Sequence, residues 1–120
     1  IADRNRNVRT LLQRELFGEG YQVVLAGEDR ELIRLLLDEQ ADLLILDPDL
    51  PSSTTIPELI ALLHGRKPAL PIVIYTFLHD TGNYRDMPGV AMCLEKKEDI
   101  SHLKKVITEI AQKNFGQSSL

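Results

Sequence analysis

Asp3, Asp47, Asp49, Thr76 and Lys96 are residues whose types and placement could do chemistry. Each follows an apolar run. Asp3 follows "IA", Asp47 ends "LLIL", Asp49 lies two residues further on, Thr76 closes "PIVIYT", and Lys96 comes directly after "VAMCLE". Carboxylates, a hydroxyl and an ammonium brought together suit a phosphoryl group carried on a carboxylate. The carboxylate attacks, a cation neutralises the transferring oxygens, and the hydroxyl and lysine hold the group in place.

Such residues meet only if the apolar runs are neighbouring strands pointing the same way. "LLIL" is continuous and short, as expected for a strand buried on both faces. "QVVLA", "PIVIYT" and, less regularly, "VAMCLE" read the same way, and "IAD" reads as the end of a first strand. Helical spacing lies between them. It is seen in Val8, Leu11, Leu12 and Leu16; in "DRELIRLLLDEQ", with Asp29 as its expected N-cap; and in Ile56, Leu59, Ile60 and Leu63. Thr55 and Glu58 have capping-box spacing around Pro57, and Gly65 should end that helix. Leu103, Val106, Ile107 and Ile110 form the last stripe, flanked by Lys104, Lys105 and Lys113. The alternation predicts a parallel sheet covered by helices on both faces. Between Thr76 and Val90 the pattern degrades in "FLHDTGNYRDMPG", where a short or irregular helix is expected. In such sheets sites form outside the carboxyl ends of the strands, which is where the candidate residues fall.

Composition narrows the function classes. The chain has 120 residues, 43% apolar and 27% charged, and suits one soluble domain spanning residues 1–120. A net charge of −4 and a pI near 5.3 argue against direct nucleic-acid binding, which needs a clustered positive surface. No apolar run approaches the roughly 18 residues of a membrane span. Cys93 is the sole cysteine, so no internal disulfide forms; together with the absence of a secretory signal this points to a cytoplasmic protein. The chain opens at Ile1 without an initiator methionine, so an excised domain with a shortened first strand is expected.

"IADRN", "LILDPDLP", "IVIYT" and "LEKKEDISHL", in this order, resemble the receiver domain of two-component response regulators over nearly the whole chain. The resemblance implies a flavodoxin-like α/β fold with a five-stranded parallel sheet of order 2-1-3-4-5. It implies a signalling domain rather than an enzyme, phosphorylated on Asp47 by a histidine kinase or phosphotransfer protein, with an output domain or homodimer as further partners. Thr76 and Lys96 would hold the phosphoryl group, and Asp3 and Asp47 would face Mg²⁺; Asp49, two residues past Asp47, is the candidate to replace in part the ligand that Arg4 removes.

Three positions depart from the family pattern. Arg4 stands where a second acid is usual, Phe77 where a small residue is usual, and Cys93 where an aromatic is usual. Arg4 supplies no oxygen to Mg²⁺, so metal binding should be weak or absent. A guanidinium about 5 Å from the ion would cost up to roughly 7 kcal/mol at an effective dielectric near 20. Arg4 is either an exposed side chain or a counter-ion to Asp47 or Asp49 that takes the metal's place. Asp49 reads more simply as a loop acid than as a ligand. These departures support an alternative, a phosphorylation-independent pseudo-receiver acting as a protein-interaction module. A remoter one is a phosphatase, since "LILDPDLPSST" also resembles the DxD nucleophile segment of haloacid-dehalogenase-type enzymes. His64, His79 and His102 lack metal-ligand spacing and read as solvated or cap-adjacent, and Cys93 reads as a small buried strand residue.

Overall fold

The apolar runs become parallel strands because each is too short for a helix and is flanked by residues that turn the chain. In a computed structural model describing residues 1–38, 40–77 and 84–114, three regular strands form: β1 (Leu44–Leu46), β2 (Ile72–Thr76) and β3 (Val90–Glu95). They pair in parallel in the order β1-β2-β3, with Ile45 opposite Val73 and Thr76 opposite Glu95. Four helices accompany them among the described residues: α1 (Arg6–Gly18), α2 (Asp29–Asp38), α3 (Ile56–Arg66) and α4 (Ser101–Asn114).

The five expected strands are not all present as strands. The first two positions are single parallel bridges, Ala2 to Ala26 on one side and Ala2 to Leu46 on the other. The Ala2 and Asp3 amides donate to Ile45 and Ala26, and the Ala26 and Asp47 amides donate to Ile1 and Ala2. The chain bends at Arg4 towards the cap of α1, and "QVVLA" is held at two points, by the bridge at Ala26 and by the Val24 carbonyl, which accepts from the Ile1 ammonium (2.8 Å). The expected irregular helix between Thr76 and Val90 falls partly on residues 78–83, outside the described residues. Residues 84–86 form a turn, and the chain enters β3 at Gly89, whose φ of 90° favours glycine.

The two faces of β1 and β2 separate by alternation. Leu44, Leu46, Ile72 and Ile74 pack with Leu32 and Leu36 of α2 and Leu59, Ile60 and Leu63 of α3. Ile45, Val73 and Tyr75 pack with Leu12 and Leu16 of α1 and Leu103, Val106 and Ile107 of α4. Each such side chain contributes about 1.5–3 kcal/mol on burial, so a one-residue slip of register would expose a whole face.

The caps place these helices. Asn5 Oδ1 accepts from the Asn7 and Val8 amides (2.9 and 3.2 Å), and Thr55 Oγ1 accepts from the Glu58 amide (3.3 Å). α3 runs one residue past Gly65. Asp29 is the first residue of α2 rather than its cap; the Glu28 carbonyl accepts the first helical bond, from Leu32. Asp29 instead holds the loop that follows Asp47. Its Oδ2 accepts from the Ser53 amide (2.9 Å), the Ser53 hydroxyl (3.0 Å) and the Ser52 hydroxyl (3.3 Å). These bonds, that of the Ser53 amide foremost, hold the Asp29 carboxyl below the usual carboxylate range. Its stabilisation is therefore complete above the unfolded-state pKa and is lost as pH falls through the lower folded-state value. Asp29→Ala should destabilise the domain by about 1–2 kcal/mol in urea unfolding near pH 7. The difference from wild type should shrink in strong acid.

Candidate functional site

Parallel pairing brings the carboxyl ends of β1, β2 and β3 and the residue after Ala2 to one edge of the sheet. Asp3, Asp47 and Thr76 lie there, each 2% exposed or less. Lys96 follows β3, and its amide donates to the Thr76 carbonyl (2.6 Å), which fixes where its side chain starts. Its Nζ reaches Asp3 Oδ2 at 3.0 Å and Asp47 Oδ2 at 3.5 Å, so one ammonium serves both buried carboxylates. Phe77 and Tyr75 flank the ammonium, with ring centroids 5.5 and 6.0 Å from Nζ, within cation–π range.

Backbone amides hold the carboxylates. Asp3 Oδ1 accepts from the Asn5 amide (2.8 Å), and Asp47 Oδ1 accepts from the Asp49 amide (2.9 Å). The Arg4 amide donates to Asp47 Oδ2 (3.3 Å). Arg9, one turn into α1, donates through Nη1 to the Asp3 carbonyl (2.6 Å). Gly27 leaves room for that guanidinium, since a Cβ there would stand 3.2 Å from Nη1. Burial raises the Asp3 carboxyl above its usual range; the Asn5 amide and Lys96 oppose that rise, and Asp47 adds to it. The Thr76 hydroxyl is buried without a hydrogen-bond partner among the described residues.

Arg4 stands on the outer side of this group, half-exposed. Its Nε lies 4.0 Å from Asp47 Oδ2 and its Nη2 lies 3.7 Å from Asp49 Oδ2, ion-pair rather than hydrogen-bond distances. Asp49 thus supports Asp47 through its amide and pairs with Arg4 through its carboxylate.

The Mg²⁺ implied by the sequence resemblance needs about six oxygens in near-octahedral order. The donors here do not fit it. All four oxygens of Asp3 and Asp47 already face a protein donor. The next residue along is an arginine, and no group of three or more acidic, histidine or cysteine side chains suited to a metal occurs among the described residues.

Of the predicted site residues, the side chains of Asp3, Asp47 and Lys96 meet directly, Asp49 joins through its amide to Asp47 and its carboxylate to Arg4, and Thr76 lies buried on the strand between. Three contributors were not foreseen: Arg9, Gly27 and the loop-holding role of Asp29. Only Asp29, preceding a helix, carried any signal. Cys93 is half-buried in β3, and burial pushes its thiol pKa up, against a nucleophilic role. His102 is exposed on α4, and His79 lies outside the described residues. His64 is cap-adjacent, in the last turn of α3, and half-buried: its ring packs against Gly89, where a Cβ would stand 2.9 Å from Nδ1. An apolar cavity of about 390 Å³ between Tyr21–Val24 and Leu43–Ile45 touches none of the site residues.

Lys96→Met would leave Asp3 and Asp47 buried without their shared cation. It should destabilise the domain by about 3 kcal/mol near pH 7, read by urea unfolding. Because the folded-state pKa of Asp3 lies above its unfolded value, stability is lost as pH rises between the two. Mild acidification should therefore recover part of the loss.

Comparison with known proteins agrees with this architecture. Residues 1–108 match the family model described as the response regulator receiver domain. No curated protein is similar to the chain at the sequence level. Among solved structures, response regulator TrrA of Thermotoga maritima, in complex with Mg²⁺ and BeF, is 24% identical; the alignment covers 91% of this chain and 94% of that one, with a TM-score of 0.79. The receiver domain of NtrX from Brucella abortus is 20% identical over 92% of this chain and 95% of its own, with a TM-score of 0.85. A streptococcal protein, from a family of redox sensors evolved from two-component response regulators, is 23% identical, with a TM-score of 0.84; all of this chain aligns with 53% of it. At these identities the likeness shows the fold, and it agrees with the family match. The chain belongs to the response regulator receiver domain family.

Proposed function

We propose that this receiver domain, taken as one unit over residues 1–120, takes part in a phosphorelay by accepting a phosphoryl group on Asp47. The donor would be a phosphohistidine of a histidine kinase or phosphotransfer protein. The observation that carries this reading is the Thr76 hydroxyl, fully buried at the end of β2 with no partner among the described residues. A buried hydroxyl left unpaired is costly and rare. A phosphoryl oxygen on the neighbouring strand end would supply the missing partner. In the transfer an Asp47 oxygen bonds to phosphorus as the donor's N–P bond breaks, and the departing imidazole keeps a proton taken from solvent. Lys96, already beside Asp47, offsets the charge of the incoming oxygens. Receiver domains act in general as signalling modules rather than enzymes, and output would pass to an attached domain, a second copy or another protein.

A pseudo-receiver is favoured by one specific observation, the Arg4 guanidinium beside Asp47 and Asp49. The streptococcal redox sensors, evolved from two-component response regulators, offer a precedent for this fold taking on another sensing role. The DxD phosphatase reading has less support, because Asp49 pairs with Arg4 and the family match lies elsewhere.

Incubation with a small phosphodonor in Mg²⁺ buffer, followed by intact-mass measurement, separates these readings. Wild-type protein should gain a single phosphoryl adduct and Asp47→Asn none. An unlabelled wild type, or equal labelling of Asp47→Asn, would contradict the acceptor reading and leave the pseudo-receiver.

A further inference from the structure

The misfit between this site and a divalent ion has a structural cause. Arg4 is fixed at its backbone, where its amide donates to Asp47 Oδ2 and where Asp3 and Asn5 on either side are tied to each other. Its side chain therefore starts beside Asp47, and its half-exposed guanidinium lies on the outer side of the site, 4.0 Å from Asp47 and 3.7 Å from Asp49. Lys96 approaches the same Asp47 oxygen at 3.5 Å. Three carboxylates, Asp3, Asp47 and Asp49, thus face two permanent cations placed at separate points. A divalent ion entering here would be repelled by both, and would have to displace amide and ammonium donors from the carboxylate oxygens it needs.

We propose that Arg4 is the built-in cation of this site, taking over with Lys96 the charge that a divalent metal would otherwise supply beside Asp47, so that the site excludes such metals and works without them. A guanidinium suits the task, being charged at any working pH and offering paired donors to the oxygens of a carboxylate or a phosphoryl group. Arg4 is a positioning residue for whatever anion Asp47 carries. Its consequence for phosphorylation rests on the acceptor reading of Asp47, but its occupancy of the cation position does not.

Titration with Mn²⁺, followed by the electron paramagnetic resonance signal of the free ion, tests this without any phosphoryl transfer. The wild type should show no saturable Mn²⁺ binding at millimolar concentrations. Arg4→Asp should bind at least tenfold more tightly, and Asp47→Asn in that background should abolish the gain. Arg4→Ala, which adds no charge to the site, serves as a second variant and should show a smaller gain in the same direction. Wild-type binding as tight as that of Arg4→Asp would overturn the inference, and so would the absence of binding in every variant. Phosphodonor labelling of the wild type, where it occurs, should proceed within about twofold as fast in chelator as in Mg²⁺. Failure of all labelling counts against the acceptor reading alone, since the Mn²⁺ comparison decides the role of Arg4.

Discussion

The Lys96 ammonium between Asp3 and Asp47 is the interaction on which the rest of the site depends. Two carboxylates this deeply buried repel each other and lose hydration, and without a shared cation one of them would be driven to take up a proton. Lys96 can reach both because the strands run parallel. Asp3 follows the Ala2 bridge, Asp47 follows β1 and Lys96 follows β3, so all three leave the sheet at the same edge. An antiparallel neighbour would send one of them to the far end. The α/β alternation is in this sense a requirement of the chemistry.

The surroundings of that pair are built from loops held by local hydrogen bonds. The Asp3–Asn5 turn feeds directly into the cap of α1, and the Asp47–Asp49 turn presents a backbone amide to the acid it follows. Asp29 holds residues 52 and 53, tying the loop after Asp47 to the start of α2. Arg9 holds the Asp3 carbonyl from inside α1. The carboxylates are thus oriented before any ligand arrives, which is what electrostatic pre-organisation requires.

Much of this was legible in the residues. Helical faces such as Leu103, Val106 and Ile107 were visible because an amphipathic helix carries its own period, whatever it packs against. Asp47, Thr76 and Lys96 were visible because each sits at the end of an apolar run, and strand ends in a parallel sheet share an edge. The outer strand "QVVLA" could not be judged this way: a strand exists only through its partner, and here pairing amounts to one bridge at Ala26 and the bonds of Ile1 and Asp3 around it. Asp29 resembled a cap because acids before helices usually are caps, but its bonds go across 24 residues to Ser53. His64 gave no signal at all, since its packing depends on a distant glycine. Arg4 had two readings, exposed or counter-ion, and the structure joins them: the side chain is half-exposed and paired at once.

Arg4 also sets this receiver apart from the family pattern implied by its sequence. On the proposal above, the Arg4 guanidinium beside Asp47 replaces a diffusible ion with a permanent charge, and readiness for an anion would not depend on metal supply. Fluorine NMR of the protein with beryllofluoride, a phosphoryl mimic, tests this most directly when performed in metal-free buffer. Bound fluoride resonances in the wild type that disappear in Asp47→Asn are the predicted result. Resonances that require added Mg²⁺, or none under either condition, would contradict a metal-independent acceptor at Asp47.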